Sequence, residues 1–330
     1  MNSGTLLPGP DLSVTVAGLR LRTPVMTASG TFGYGREYAG LLDLSGLGAI
    51  VVKGTSLEPW SGNPPPRTVE TAAGLLNSIG LENPGVEWFL ENDLPWLSGL
   101  GVPIIVNVVG RTAAEYVALA RRLDGAPGVS ALEANISCPN VKEGGLAFGA
   151  DPAVAGDLVT GMRRATRLPL IVKLTPNITD VAALARRVVE AGADAVSLIN
   201  TLVGMAIDPE AGRPILARGT GGLSGPAVKP VALAMVYRVA AAVTVPVIGM
   251  GGIWTGRDAV EFLMAGASAV AVGTALFVDP EAPLRIAREI GDFMAGQGYG
   301  KVGEMVGLAN TGFCGRRPES WADRPDQEGR

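Results

Sequence analysis

The 330-residue chain contains no histidine. That absence removes Ser-His-Asp and Cys-His nucleophilic catalysis, histidine-ligated zinc, and imidazole as a general base. Proton chemistry must then use cysteine, lysine, tyrosine or a carboxylate. Cysteine is scarce too: Cys138 and Cys314 are the only two, too few for a disulfide framework or for the four thiolates of an iron–sulfur cluster. The opening MNSGTLLPGPDL lacks the basic segment and apolar run of a secretory leader, so the expected compartment is the cytoplasm. In that compartment the glycosylation triplets at Asn135 and Asn177 carry little meaning. No uninterrupted apolar run approaches the ~20 residues of a membrane span. With 27 basic against 31 acidic residues and a pI near 5.1, there is no electrostatic footprint for a nucleic acid. No residue set calls for a metal.

What is present suits a large core: 47% of residues are hydrophobic and 18% charged. Short apolar runs alternate with helical patterns, which predicts a parallel sheet. The candidate strands are PVMTAS (24–29), AIVVKG (49–54), PIIVNVVG (103–110), ALEANIS (131–137), PLIVKLT (169–175), AVSLIN (195–200), PVIGMGG (246–252) and AVAVGTAL (269–276). Amphipathic stretches such as AAEYVALARRL, DVAALARRVVEAGA, KPVALAMVYRVAAAV and RDAVEFLMAGA lie between them, several closed by a glycine. Eight such units predict an α/β fold, a closed (β/α)₈ TIM barrel, with LSVTVAGLRLRTP as an N-terminal β-hairpin plugging its bottom. An open doubly wound sheet is the alternative, but no GxGxxG follows a strand and no Walker motif is present. The whole chain, 1–330, reads as one domain, with a loosely ordered tail from about Arg316.

Barrel enzymes place their chemistry at the C-terminal ends of the strands. Those ends carry Ser29, Lys53, Asn107, Asn135 with Cys138, Lys173, Asn200 with Thr201, Gly251–Gly252 and Gly273–Thr274. Any one of them could simply be a polar residue ending a strand in water. Two lysines and three asparagines at one rim argue for a site, because such groups need partners to offset desolvation. The glycines after the last two strands predict a phosphate-holding corner with open backbone N–H groups where a helix begins, although a glycine pair also serves ordinary tight turns. Two long connections, residues 55–84 and 201–227, are expected to roof the site from above.

The motifs NSIGLENPG (77–85), ANISCPNVKEGG (134–145), VKLTPNITD (172–180), INTLVGMAID (199–208), TGGLSGPAVKPVAL (220–233) and GMGGIWTGRDAVEFLMAGASAVAVGTALF (249–277) together resemble the dihydroorotate dehydrogenase family. The resemblance runs from the opening hairpin to about Phe277, and within the family it is nearest the class 1B catalytic subunits. It implies an FMN enzyme that oxidises (S)-dihydroorotate to orotate in pyrimidine synthesis. It also implies a homodimer of this chain inside a heterotetramer, whose other subunit carries FAD and a [2Fe-2S] cluster and reduces NAD⁺. Class 2 relatives carry an N-terminal helical extension and a serine base, which this chain lacks.

By the same resemblance Ser29, Lys53, Gly54, Asn107, Asn135, Lys173, Ile199 and Gly225 hold FMN, with Gly251, Gly252, Gly273 and Thr274 around its phosphate. Lys173 makes physical sense there: an ammonium ~4 Å from the anionic edge of a reduced flavin, at an effective dielectric of ~20, contributes roughly 4 kcal/mol before desolvation. Lys53, Asn77, Ser78, Ile79, Gly80, Leu81, Asn135, Asn140, Asn200 and Thr201 fall where the family grips substrate. A planar, amide-rich ring with a carboxylate asks for such amides and one cation. Asn77 and Asn140 are equally at home as turn residues. Cys138 is the candidate base: with no histidine, a thiol of ordinary pKa ~8.5 is the side chain nearest neutrality. Pro139 stiffens the exit from the strand, while Gly144 and Gly145 favour a closing loop. The alternatives are a fumarate-linked class 1A-type enzyme, a dihydropyrimidine dehydrogenase-like domain, a flavin-dependent tRNA reductase, and a barrel that binds FMN without catalysis. Lys53 disfavours the second, since pyrimidines such as uracil have no carboxylate to pair, and the acidic balance disfavours the third.

Overall fold

The computed structural model describes residues 9–137 and 149–310. Cys138, Asn140, Gly144, Gly145, Cys314 and the tail from Arg316 lie outside the described residues. Eight parallel strands form one sheet: β1 (Val25–Thr27), β2 (Ile50–Thr55), β3 (Ile104–Val108), β4 (Val129–Asn135), β5 (Leu170–Lys173), β6 (Ala195–Leu198), β7 (Val247–Met250) and β8 (Ala269–Val272). Their order around the sheet is β1-β8-β7-β6-β5-β4-β3-β2. A parallel bridge between Met26 and Ala49 brings β1 back to β2. The Thr27 hydroxyl completes this closure by accepting from Val51 N at 3.0 Å and donating to Val51 O at 3.3 Å. The result is the (β/α)₈ barrel that the alternation of patterns predicts.

The strands are buried on both faces, as β-branched and aliphatic runs in a covered parallel sheet should be. Outward residues pack against amphipathic helices, among them Ala113–Leu123, Pro152–Ala165, Val181–Glu190, Lys229–Ala240, Gly256–Met264 and Ala282–Gln297. Helices start where the sequence supplies a cap. Thr112 Oγ1 accepts from Glu115 N, Asp180 Oδ1 accepts from Ala182 N and Ala183 N, and Thr255 with Asp258 forms a capping box. Gly192 and Gly266 follow two of the helices at positive φ, the backbone region that favours glycine, and their N–H groups return to Val189 O and Leu263 O. No helix among the described residues is long and apolar enough to cross a membrane.

The inward faces form a second core. Val51, Ile105, Ala131, Ile171, Ala195, Ile248 and Ala269 fill the lower barrel. The antiparallel hairpin Val14–Val16 with Leu19–Leu21 plugs it from below, inserting Val16 and Leu21 into that cluster. The long connections contribute strands of their own. Thr68–Thr71, Gly74–Asn77, Thr220–Ser224 and Leu202–Met205 pair in that order into a four-stranded antiparallel sheet over the rim. The last barrel strand also stops earlier than expected, because Thr274–Phe277 turns into a 3₁₀ helix.

Candidate active site

Side chains on a strand alternate faces, so the residue two positions beyond an inward apolar residue points inward one layer higher. Lys53 follows Val51, Asn107 follows Ile105, Glu133 follows Ala131, Lys173 follows Ile171 and Ser197 follows Ala195. The barrel interior thus changes from apolar to polar at one level, and Asn135 adds a further layer on β4. Above it lies a cavity of about 370 Å³, within the usual range for small-molecule sites.

The structure places Ser29, Lys53, Gly54, Asn107, Asn135 and Lys173 on the lining of this cavity. Ile199, Gly225, Gly251, Gly252, Gly273 and Thr274 line it as well. Of the residues expected to grip substrate, Asn77, Ile79, Gly80, Leu81, Asn200 and Thr201 join Lys53 and Asn135 on the lining. Ser78 does not: it is buried, with its Oγ accepting from Asn63 Nδ2 at 3.1 Å.

The loop bearing Ile79 to Leu81 owes its shape to Asn83, a residue the motif reading passed over. Asn83 Oδ1 accepts from Ser56 N, Ser56 Oγ and Gly85 N at 2.9–3.1 Å, and its Nδ2 donates to Leu81 O at 2.8 Å. That last bond holds Leu81 at φ 58°, a left-handed conformation uncommon for a branched side chain. Asn77, on the covering sheet, donates from Nδ2 to Gly222 O at 3.3 Å.

A chain of hydrogen bonds runs through the polar layer. Glu133 Oε1 accepts from Ser197 Oγ at 2.7 Å, and Oε2 accepts from Asn107 Nδ2 at 2.5 Å. Asn107 Oδ1 accepts from Asn135 Nδ2 at 3.3 Å. Asn135 Oδ1 accepts from Ser137 Oγ at 3.0 Å and from Asn200 Nδ2 at 3.3 Å, and Asn200 Nδ2 also donates to Ser137 Oγ at 2.7 Å. Asn200 Oδ1 takes Thr201 N at 2.8 Å. Tyr116, from the helix behind, donates to Asn135 O at 2.7 Å and anchors the end of β4. Glu133 and Ser197 are members that a search of strand ends overlooks, since each sits a pleat below the rim; the inward alternation is the signal that finds them.

Two cations face the same space. Lys173 is 6% exposed, and among the described residues its ammonium has no hydrogen bond or ion pair. Lys53 is partly buried, and burial holds its pKa below the usual lysine value; Arg67 adds to the lowering, while Glu82 and Glu37 oppose it. Arg67 and Glu82, ion-paired with each other, also line the cavity and were not anticipated.

At the glycine corner the geometry departs from the expectation of open N–H groups at a helix start. Trp254 N and Thr255 N both donate to Asp258 Oδ2, at 3.0 and 2.8 Å, and Gly256 N donates to Glu289 Oε2 at 2.5 Å. The helix start is capped by the protein's own carboxylates, with Lys229 Nζ 2.5 Å from Asp258 Oδ1. What remains toward the cavity is the backbone of Gly251 and Gly252, at φ 122° and 73°, with Gly273 and Thr274 opposite. Thr274 Oγ1 bonds to Ser224 Oγ at 2.8 Å, tying the corner to the covering sheet.

These residues fit a bound flavin nucleotide. The Lys173 ammonium, unpartnered among the described residues and opening onto the cavity, suits an anion or electron-rich acceptor, the rim amides suit a heterocycle edge, and the side-chain-free glycines leave room for close backbone approach.

Comparison with known proteins agrees with this geometry. A family model described as dihydroorotate dehydrogenase matches residues 11–294. A protein of Geobacter sp. (strain M21) named "Dihydroorotate dehydrogenase B (NAD(+)), catalytic subunit" is 57% identical over 298 residues, covering 90% of this chain and 98% of its own. Proteins of the same name from Geotalea uraniireducens and Geobacillus kaustophilus are 58% and 55% identical, covering 92% and 90% of this chain and 99% and 95% of theirs. The crystal structure of DHODH from Eimeria tenella in complex with ferulenol superposes with a TM-score of 0.75 at 25% identity, covering 93% of this chain and 92% of that one. The barrel, the converging rim and these relatives together establish that the chain belongs to the dihydroorotate dehydrogenase family, among its class 1B catalytic subunits.

Proposed function

We propose that this chain oxidises (S)-dihydroorotate to orotate in pyrimidine synthesis, holding FMN in the barrel mouth and passing the electrons to a separate subunit that carries FAD and a [2Fe-2S] cluster and serves NAD⁺. The observation that carries the reading is Lys173, a largely buried residue whose ammonium has no protein partner among the described residues, on the lining of a cavity that also presents amides and a second lysine. Bound there, FMN supplies a two-electron acceptor for the hydride from carbon 6 of the substrate.

The chain's own residues do the rest. Lys173 offsets negative charge at the edge of the bound ring system. Lys53 pairs with the substrate carboxylate, and its partial burial strengthens that pairing relative to water. Asn77, Asn135, Asn200 and Thr201 fix the ring through its amide edge, with Ile79, Gly80 and Leu81 as the loop against it. Cys138 takes the proton from carbon 5 as thiolate. It lies outside the described residues, one position after Ser137, whose hydroxyl is tied to both Asn135 and Asn200.

The name "catalytic subunit" borne by the relatives supports a separate electron-transfer partner. A homodimer at the centre of that assembly and a cytoplasmic setting complete the proposal. The test is anaerobic: the purified chain should carry a yellow chromophore that dihydroorotate bleaches. Bleaching by dihydrouracil but not by dihydroorotate would sink the reading. The chain alone should reduce NAD⁺ far more slowly than a co-expressed complex; equal rates would remove the partner from it.

A further inference from the structure

We propose that Glu133, which does not line the cavity, is a positioning residue that sets the hydrogen-bonding polarity of the asparagines that do. The inference rests on the reading that Asn135 and Asn200 meet the amide edge of the substrate.

An asparagine amide has a donor end and an acceptor end, and rotation by half a turn exchanges them with almost no change of shape. Three amides on one rim can therefore present several donor–acceptor patterns, only one of which matches a given heterocycle. A carboxylate removes that freedom because, once ionised, it accepts only. Glu133 is 2% exposed and is the register partner of Asn107 on the adjacent strand. Its Oε2 obliges Asn107 to turn its NH₂ end inward, which leaves Asn107 Oδ1 to accept from Asn135 Nδ2. Asn135 then shows its Oδ1 to Asn200 Nδ2 and to Ser137 Oγ, and the Asn200 carbonyl oxygen is left to accept from Thr201 N. The carboxylate sets Asn107 directly, and the same sense is held along the relay by two backbone donors, Ser137 N on Asn135 Oδ1 at 3.4 Å and Thr201 N on Asn200 Oδ1 at 2.8 Å.

Stability does not explain this carboxylate. It has no cation within ion-pair distance among the described residues, and its two bonds come from neutral donors. A buried charge satisfied in this way costs desolvation that a neutral isostere would avoid. What glutamine could not supply is the strict acceptor character, since its own amide can turn and donate.

The experiment compares FMN-loaded wild type, Glu133→Gln and Ser197→Ala. Flavin content and thermal midpoint serve as folding controls, and orotate affinity is read without turnover from the shift it causes in the flavin absorbance. Glu133→Gln should keep its flavin and weaken orotate by about tenfold, the worth of one misdirected hydrogen bond. Ser197→Ala removes the other donor to the same carboxylate but leaves an acceptor facing Asn107, and should weaken orotate less than Glu133→Gln does. Combining Glu133→Gln with Asn200→Ala should cost no more than the worse single change, because the two act through one relay. A folded, FMN-loaded Glu133→Gln that binds orotate like wild type would overturn the proposal, as would fully additive losses. Should Glu133→Gln fail to fold, Asn107→Ser cuts the same relay one amide later; its losses should again not add to those of Asn200→Ala, and additive losses overturn the proposal there too. Wild-type holoenzyme that binds no orotate would overturn the substrate reading and the relay with it, an outcome distinct from failure in the variant alone.

Discussion

Asn135 and Lys173 are register partners on adjacent barrel strands, both more than nine-tenths buried, yet the amide is tied to protein neighbours while the ammonium has none among the described residues. The Lys173 ammonium opens onto the cavity, so solvent reaches it in the flavin-free chain and it gains a partner when an anion or electron-rich ligand arrives. Lys173→Met should therefore act differently on two forms of the protein. The flavin-free chain should change by less than about 1 kcal/mol against urea, since no buried hydrogen bond or ion pair is removed. The FMN-loaded protein should bind its flavin less tightly and show a lower reduction potential. Parallel urea titrations of both forms and a potentiometric titration check this; an apoprotein that loses stability on substitution would show that Lys173 has protein partners of its own.

Lys53 sets a pH dependence whose sign follows from its environment. Burial, helped by Arg67, lowers its pKa below the ordinary lysine value, against the weaker pull of Glu82 and Glu37. The ammonium, not the amine, pairs with a carboxylate. Orotate affinity should then be full at neutral pH and fall as pH rises through the lowered pKa, before a free lysine would titrate. Lys53→Arg remains charged throughout that window, so its affinity should stay flatter with pH even if it is weaker overall. Any titration of orotate itself is common to both proteins and cancels in the comparison. Parallel profiles for the two would remove Lys53 from carboxylate recognition.

The barrel could be read from the chain because each strand is a short apolar run ended by a polar residue or glycine, and several helices start at a capping side chain such as Thr112, Asp180 or Thr255. The site was legible to the depth of the last residue on each strand. Glu133 and Ser197, one pleat lower, required knowing that β4 and β6 point Ala131 and Ala195 inward. The covering sheet was not legible at all. Its strands Gly74–Asn77 and Thr220–Ser224 are short and glycine-containing, and they pair across a separation of 145 residues at Asn77 and Gly222. No local periodicity records a pairing of that kind. The capped helix start near Asp258 escaped for a related reason: Glu289, which takes Gly256 N, comes from a helix 33 residues further on.

The Thr27 hydroxyl contributes to barrel closure between β1 and β2. Thr27 Oγ1 serves both Val51 N and Val51 O in a fully buried position, beside the Met26–Ala49 bridge and the bond from Gly48 N to Val25 O at 2.8 Å. Thr27→Val keeps the shape and removes the acceptor, leaving Val51 N unpaired. The expected cost is about 1 to 3 kcal/mol by urea denaturation. Thr31→Val, whose hydroxyl reaches only Ala28 O at 3.2 Å on a partly exposed turn, should cost less. Equal losses would mean that the closure does not rely on Thr27.

The absence of histidine gives the last prediction its force. Oxidising dihydroorotate requires a base for the carbon 5 proton on the ring face opposite the hydride acceptor, and the cavity offers amides, two lysines that the site uses as cations, the Glu82 carboxylate already engaged in its ion pair with Arg67, and the cysteine that follows Ser137. Amides do not take protons near neutrality, and a lysine that pairs with a carboxylate is held in its charged form. A thiol of ordinary pKa ~8.5 is already a few per cent thiolate at pH 7, and more beside positive charge. Cys138→Ser should therefore keep its flavin and bind orotate normally while flavin bleaching by dihydroorotate slows by about 10² to 10⁴ near neutral pH, the usual worth of a positioned base. The deficit should shrink at high pH, where hydroxide can substitute. Anaerobic single-turnover bleaching across pH separates this from a packing role, because a merely structural cysteine would lower flavin content or thermal stability and leave the pH profile unmoved. A Cys138→Ser protein that bleaches within a few-fold of wild type at pH 7 would assign the proton to another group.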